Sequence, residues 1–508
     1  MSPISMGTSA KLYIHATIIT VNRARDVVLD GALLILGSRI LRLGKSHEDF
    51  SEYLPANTSI EVIDCSNRII IPGLVNTHAH LAQSLLRGLA EDLPLHSWLC
   101  DAVWPLEASY RDDDGYVAAM LTIAEMLKSG TTCFLEAMLT HGSGIENVVQ
   151  AVGEAGIRAC LVSELLLSSS AGISSRANTA VFKGKLVKSA ETNPSLKMID
   201  ARDKDVSSMS LSSALDAHSR YNHSFDDRCH IWFACGTPRG SPTAAHRAIG
   251  SAAVAHDIGV TMHCAEASKD LDIFREHYEC SPLEFCRDTQ IAGRKTVLAH
   301  VVHPDPKTDF DILRQTGTTV SHNPTSNCKL GSGIAPIPDM IAAGANVSLG
   351  TDGAPCNNTY DMIREMHLAA ILHSGAREQA GLISALTVLE MATINGARAL
   401  GLEEEIGSLE VGKKADIVIV NPSRNLGAVP WDSNQILGGG IDPATILVHS
   451  CTGADVERVV VNGVTVVSDG KLITLDETGI IQRAKQAVEG IRKRSKVRAT
   501  NHMGLVYR

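Results

Sequence analysis

The 508-residue sequence predicts an α/β protein: a (β/α)8 TIM-like barrel carrying a small β-sandwich formed from both chain ends. Three observations predict it. Between about 73 and 404, short apolar segments alternate with helical stretches. β-rich segments of matching texture flank this middle on both sides. Ionisable residues recur where the candidate strands end. The expected division is 1–72 for the first part of the sandwich, 73–404 for a metal-dependent barrel, and 405–508 for the rest of the sandwich with a terminal helix.

The N-terminal strands are read at 11–21, 31–37, 40–44, 59–64 and 68–72, each short, rich in Ile, Leu and Val, and bounded by turn residues. The C-terminal ones, at 415–420, 454–463 and 464–470, have the same character. The barrel strands are placed at 73–77, 131–135, 158–162, 230–234, 260–263, 296–300, 318–322 and 346–350. Apolar residues at helical spacing mark helices over 116–128 and 385–394, and a further one over 481–489. The Ser-rich stretch 168–193 reads as a loop or insertion.

Composition narrows the function. Lys+Arg 46 against Asp+Glu 56 gives a net charge of -10, which argues against a general nucleic-acid binder. The basic run 492–498 follows a helical pattern and reads as a solvated helix end. The 12 cysteines contain no CxxC pair, so they read as reduced thiols of a cytoplasmic protein, not as a disulfide framework or a thiolate zinc site. No secretory leader or membrane-length apolar run is read in the sequence. The expectation is a cytoplasmic enzyme with a small-molecule substrate, bound to neither nucleic acid nor membrane.

The chemistry concentrates at strand ends. His78 and His80 close the first barrel strand, and His263, His300 and His322 close later ones. Asp352 follows Leu349-Gly350-Thr351. In a barrel these ends form one rim, so residues distant in sequence converge there. Strand alternation turns His78 and His80 to the same face. His78, His80, His263 and Asp352 make a nitrogen-and-oxygen donor set suited to Zn²⁺ or Fe²⁺. Such an ion activates water at neutral pH. The strand at 230–236 offers no lysine to bridge a second ion, so one ion per chain is expected. Cys235 and Cys264, near the rim, read as buried apolar residues. Glu266 is placed to shuttle a proton, with His300 as its electrostatic partner. His303 reads as a hydrogen-bonded loop residue.

From Pro72-Gly73-Leu74-Val75-Asn76-Thr77-His78-Ala79-His80 onward, the chain resembles the amidohydrolase superfamily. The segment 85–98 narrows this to its methylthioadenosine/S-adenosylhomocysteine deaminase and chlorohydrolase group. Agreement continues through Trp104-Pro105-Leu106-Glu107, His263-Cys264-Ala265-Glu266, Leu298-Ala299-His300, the segments 321–330 and 349–358, and the tail's 412–416. The resemblance implies the barrel-plus-sandwich fold, one zinc (iron in some relatives) and hydrolytic replacement of a ring substituent. It makes His78, His80, His263 and Asp352 the ligands, with Asp352 also the base on water. Glu266 and His300 become the remaining catalytic groups. His322, Asn323 and Asn327 resemble rim scaffolding, Trp98 and Glu107 resemble substrate contacts, and a homodimer is implied.

The match departs where substrate is chosen. Gly236 stands where adenosine-type relatives carry a His, and Arg239 where they carry a Tyr. Ser163-Glu164 occupies the place of an Arg that contacts a homocysteine tail. Trp98, Glu107, Arg239 and Asn327 are therefore the candidate substrate contacts. The leading expectation is deamination of an amino-substituted N-heterocycle such as a purine or nucleoside. The alternatives are removal of another leaving group, such as a halide or amine from a triazine or a cyclic amide, and a non-catalytic metal-binding scaffold. The presence of Glu266, His300 and Asp352 together speaks against the scaffold.

Overall fold

The computed structural model describes residues 9–165, 210–236, 243–438 and 440–497. The stretch 168–193 and Arg239 lie outside the described residues. The chain divides into two compact units. One gathers Met1–Asn76, Ala124–Cys133 and Asp361–Asp476; the other gathers Thr77–Ile123, Phe134–Tyr360 and Glu477–Arg508.

The first unit is built on strands from both chain ends. Its N-terminal strands are β1 (Ser9–Ile19), β2 (Val27–Leu36), β3 (Arg39–Lys45), β4 (Ser59–Asp64) and β5 (Ile69–Pro72). The join is β5 against β15 (Ile417–Val420), antiparallel, with Ile70 opposite Ile419 and Ile71 opposite Val418. Both strands are buried along their whole length, which is why each is an unbroken apolar run and not an alternating one. From β15 the sheet continues through β16 (Val456–Val461), β17 (Val464–Ser468) and β18 (Lys471–Leu472). Tyr13, Ile18, Leu33, Ile70, Ile417 and Val460 form its core.

Most of the barrel lies in the second unit. The barrel strands are β6 (Leu74–His80), β7 (Thr131–Glu136), β8 (Arg158–Leu165), β9 (Cys229–Cys235), β10 (Val260–Cys264), β11 (Thr296–His300), β12 (Thr319–His322) and β13 (Asn346–Leu349). Each expected barrel strand is present, and they neighbour one another in sequence order. Closure comes from a short continuation of the last strand, β14 (Asp352–Gly353), which pairs parallel with β6. That pairing sets Asp352 opposite Ala79, between the two histidines of β6.

Two helical expectations change in detail. The helix read over 385–394 is two helices, Ala385–Met391 and Ile394–Leu400. Thr393, at φ -132° and ψ -94°, breaks them, and its hydroxyl donates to the Leu389 carbonyl at 2.6 Å. The terminal helix Glu477–Ser495 packs within the barrel unit, where Ala484 and Ile491 join Leu106 and Tyr110 in one apolar cluster. Arg494, from the basic run, donates to the Ser109 carbonyl at 2.7 Å and pairs with Asp114 at 2.5 Å. Among the described residues no helix is long and apolar enough to cross a membrane.

Candidate active site

The strand ends converge as the rim argument requires. One ligand-type atom from each of His78, His80, His263 and Asp352 lies within 4.8 Å of every other. Asp352 Oδ1 stands 3.4 Å from His78 Nε2 and 3.3 Å from His80 Nε2. His80 Nε2 and His263 Nε2 are 3.2 Å apart. His300 joins them edge-on to His78 and stacked over His263, with ring centres 5.2 and 5.5 Å away.

Backbone geometry contributes to this placement. His300 has φ 73° and Asp352 has φ 63°, values that L side chains rarely adopt and that recur at functional sites. Gly350 permits the approach of β13 to the centre. A Cβ there would meet Asn323 Oδ1 at 2.5 Å and the His78 Cβ at 2.7 Å. Beneath the histidines, the Thr77 hydroxyl pairs at 2.8 Å with both Ser321 and Ser348, closing a buried polar layer across three strands.

Hydrogen bonds orient the reactive groups. Ser326 Oγ donates to Asp352 Oδ2 at 2.6 Å, and the Gly353 amide donates to Asp352 Oδ1 at 2.8 Å. His300 Nδ1 lies 2.8 Å from Asn327 Oδ1 and 3.3 Å from Asn323 Nδ2, contacts that hold the ring with Nε2 facing the site. His300 Nε2 is then 4.0 Å from Glu266 Oε1 and 3.8 Å from Asp352 Oδ2. Asp270 holds the loop that carries Glu266, accepting from the Glu266 and Ala267 amides at 2.8 and 2.9 Å. Tyr360 donates to the His80 carbonyl at 2.7 Å.

The electrostatics suit metal binding. Burial lowers His78 to about 4 and His263 well below the usual imidazole range, so both rings are neutral and able to ligate. Burial opposes ionisation of Asp352, but hydrogen bonds from His78 and His80 outweigh it and hold the carboxyl low. At His80 burial is likewise overcome, by Asp352 first and then Glu136 and Glu107, so its pKa is raised. Three imidazoles and a carboxylate that converge in a buried cluster fit a single Zn²⁺ or Fe²⁺.

Other sequence expectations fall as follows. Burial pushes the Cys235 thiol up, and a hydrogen bond to Cys286 with burial does the same for Cys264, in keeping with apolar filling and not thiolate ligation. His303 bonds the Ser332 carbonyl at 2.7 Å. Trp98 is buried in the apolar cluster of Leu85, Leu106 and Tyr110. Glu107 is buried and accepts from Gln83 Nε2 at 3.1 Å. Asn327 is 1% exposed, with its amide oxygen engaged by His300. Ser163 and Glu164 lie at the C-terminal end of β8, opposite Phe233 and Ala234.

Sequence reasoning passed over Ser326, Tyr360, Asp270 and Glu136. Glu136 ends β7, is fully buried, and accepts from the Leu81 and Met138 amides at 2.8 and 3.1 Å. Burial raises its pKa to about 7, opposed by the nearby His80. Its position at a barrel strand end was the signal that could have found it.

This fold and this rim define a metal-dependent hydrolase of the barrel class. The model of the Amidohydrolase family matches residues 69–466, and the chain belongs to that family: it is a hydrolase of carbon–nitrogen bonds other than peptide bonds. It is 34% identical over 480 residues to a 5-methylthioadenosine/S-adenosylhomocysteine deaminase of Acetivibrio thermocellus, covering 94% of this chain and 98% of the relative. It is 32% identical to a 5'-deoxyadenosine deaminase of Methanobrevibacter smithii, over 92% of this chain and 95% of that one. Among solved structures, an adenosine deaminase from Xanthomonas campestris with bound zinc superposes with TM-score 0.79 at 26% identity, covering 96% and 99% of the two chains. The atrazine chlorohydrolase of Arthrobacter aurescens complexed with zinc shares the fold, with TM-score 0.76 at 23% identity over 94% and 100%.

Proposed function

We propose that this protein is a mononuclear zinc aminohydrolase that deaminates an adenosine-type nucleoside lacking a homocysteine tail. One observation carries the chemistry: His300 Nε2 faces Glu266 at 4.0 Å and Asp352 at 3.8 Å beside the three other histidines. That arrangement joins a base, an acid and an electrostatic partner around one point. The names of the relatives, deaminases of adenosine-like nucleosides, support the substrate class.

His78, His80, His263 and Asp352 would hold the ion, which supplies Lewis acidity and so makes water nucleophilic at neutral pH. Asp352 takes a proton from the attacking water, its second oxygen steadied by Ser326. Glu266, protonated at the start, gives its proton to the ring nitrogen; the proton held by Asp352 passes to the departing amine, and the proton of the added hydroxyl returns to Glu266 as the carbonyl forms. The carbon–nitrogen bond breaks, ammonia leaves and the ring carbon becomes a carbonyl. General acid–base groups of this kind contribute about 10²- to 10⁴-fold. His300, held through Nδ1 by Asn327, turns Nε2 toward the attacking oxygen as its electrostatic partner. Trp98 and Glu107 are assigned to the purine and the ribose hydroxyls, with Arg239 and Asn327 as further substrate contacts.

The exclusion of the homocysteine tail rests on Ser163 and Glu164. A carboxylate in the barrel mouth needs a cationic partner, worth about 1.5–3 kcal/mol as a charge-assisted hydrogen bond. At the end of β8 the chain offers a hydroxyl and an acid instead. We place the enzyme in the cytosol, since all its cysteines are free, and as a homodimer, to be checked by sedimentation. The test is ammonia release and kcat/KM across adenosine, methylthioadenosine, 5'-deoxyadenosine, S-adenosylhomocysteine, free aminopurines, and amino- and chlorotriazines. Neutral nucleosides are expected to lead. A clear lead for S-adenosylhomocysteine would overturn the exclusion, and chloride release without ammonia would overturn deamination.

A further inference from the structure

At the opposite end of the barrel from the site just described, a second group of metal-type side chains is drawn together. His223 and Asp227 flank a short turn, and His230 is the second residue of β9. Their ligand atoms lie within 4.8 Å of one another. His223 Nδ1 is 2.6 Å from Asp227 Oδ1, and His230 Nε2 is 3.9 Å from that same oxygen. The two imidazoles meet edge to face with ring centres 5.3 Å apart. We propose that His223, Asp227 and His230 form a second, peripheral binding site for a divalent ion of the zinc class.

Three observations support it independently of the active centre. The first is the donor set: two imidazoles and a carboxylate favour Zn²⁺ and its neighbours over Mg²⁺ or Ca²⁺, which take oxygen ligands. The second is His230 Nε2, which is buried and makes no hydrogen bond, although it points toward the Asp227 carboxylate. An ion about 2.0–2.2 Å from each atom would fill the 3.9 Å between them. The third is the backbone. His223, Phe225, Asp226 and Asp227 all have positive φ, 64°, 58°, 56° and 63°. This left-handed turn folds Asp227 back over His223, against the preference of L residues. It is anchored by the Phe225 ring, which lies where a Cβ on Gly153 would approach to 2.5 Å.

The charges around the cluster set its strength. Asp227 faces both rings, and Arg158 donates to its backbone carbonyl at 3.1 Å. A guanidinium so close opposes a cation. The site is therefore weaker than the buried centre and fills after it.

The test is zinc titration of the chelator-stripped full-length protein, with bound metal counted by elemental analysis. His223→Ala and His230→Ala are run beside the wild type. His223 is exposed, so its replacement leaves the fold intact. The expected result is that the wild type binds one equivalent more than either variant, in the weaker phase, while the tighter phase and turnover are unchanged. Cobalt should show the same difference in its visible absorption. Equal stoichiometry in all the proteins would overturn the proposal. So would a weaker equivalent that persists when both replacements, His223→Ala and His230→Ala, are combined in one chain. Because the readout is a difference between proteins, it is independent of how the active centre is loaded.

Discussion

Ser326 Oγ donates to Asp352 Oδ2 at 2.6 Å, while the adjacent Gly353 amide holds Oδ1 at 2.8 Å, so both oxygens of this carboxylate are oriented before any ligand arrives. A carboxylate that must both hold an ion and accept a proton gains from such restraint. Ser326→Ala is expected to lower kcat by about tenfold or more, the scale usual for partners that orient a metal ligand. Metal content and KM should change little. Unaltered kcat in metal-replete variant protein would show that Gly353 and the histidines alone suffice.

Asn327 acts through His300, not on the substrate alone, because its amide oxygen is engaged at 2.8 Å. Asn327→Ala should lower kcat more than it raises KM, since the imidazole loses the shorter of the two contacts that orient it. Asn327→Asp keeps the acceptor and should recover part of the loss. A change confined to KM would return Asn327 to a purely substrate-binding role.

Glu266→Gln should retain metal and fold yet lose at least about 10²-fold in turnover, because an amide carries no proton. Asp352→Asn, in contrast, should lower metal content together with activity. Both variants are distinguished by elemental analysis beside steady-state kinetics. Near-normal turnover in the Gln variant would move the proton shuttle elsewhere.

Away from the site, Asp309 gives the stability curve a recognisable slope. Burial raises its pKa from 3.8 to about 6, against hydrogen bonds from Ser281 and the Asp305 and Leu283 amides. A carboxyl with a folded-state pKa above its unfolded one takes up a proton on folding. Its stabilising contribution is complete below the unfolded value and is lost as pH rises through about 6. The loss is up to about 3 kcal/mol for a shift of roughly two units. Denaturant unfolding between pH 4 and 7 should show this fall in the wild type, and Asp309→Asn should flatten it. Parallel curves for the two proteins would reassign the slope.

Much of this molecule was legible before its structure. The barrel strands end on polar residues after short apolar runs, and strand alternation with the rim rule suffices to assemble His78, His80, His263, His300 and Asp352. Local chemistry of that kind survives translation into three dimensions, since each residue needs only its own strand to place it. The continuous apolar runs 69–72 and 417–420 likewise declare strands buried on both faces.

Other features belong to the tertiary structure alone. That β5 pairs with β15, and that β14 closes the barrel against β6, depends on registers between segments hundreds of residues apart. The helix break at Thr393 depends on a backbone angle that apolar periodicity does not encode. The bonds from Ser326 to Asp352 and from Asn327 to His300 run from the short helix Pro324–Lys329 to two different strand ends, and nothing in the sequence says which residue orients which. His223, Asp227 and His230 offered no strand-end pattern, because a left-handed turn brings them together. Sequence determined which groups reach the rim, because side-chain direction follows from strand period. Only the closed fold decided which neighbour orients each of them, because hydrogen bonds are set by distance and angle between elements that the chain brings together last.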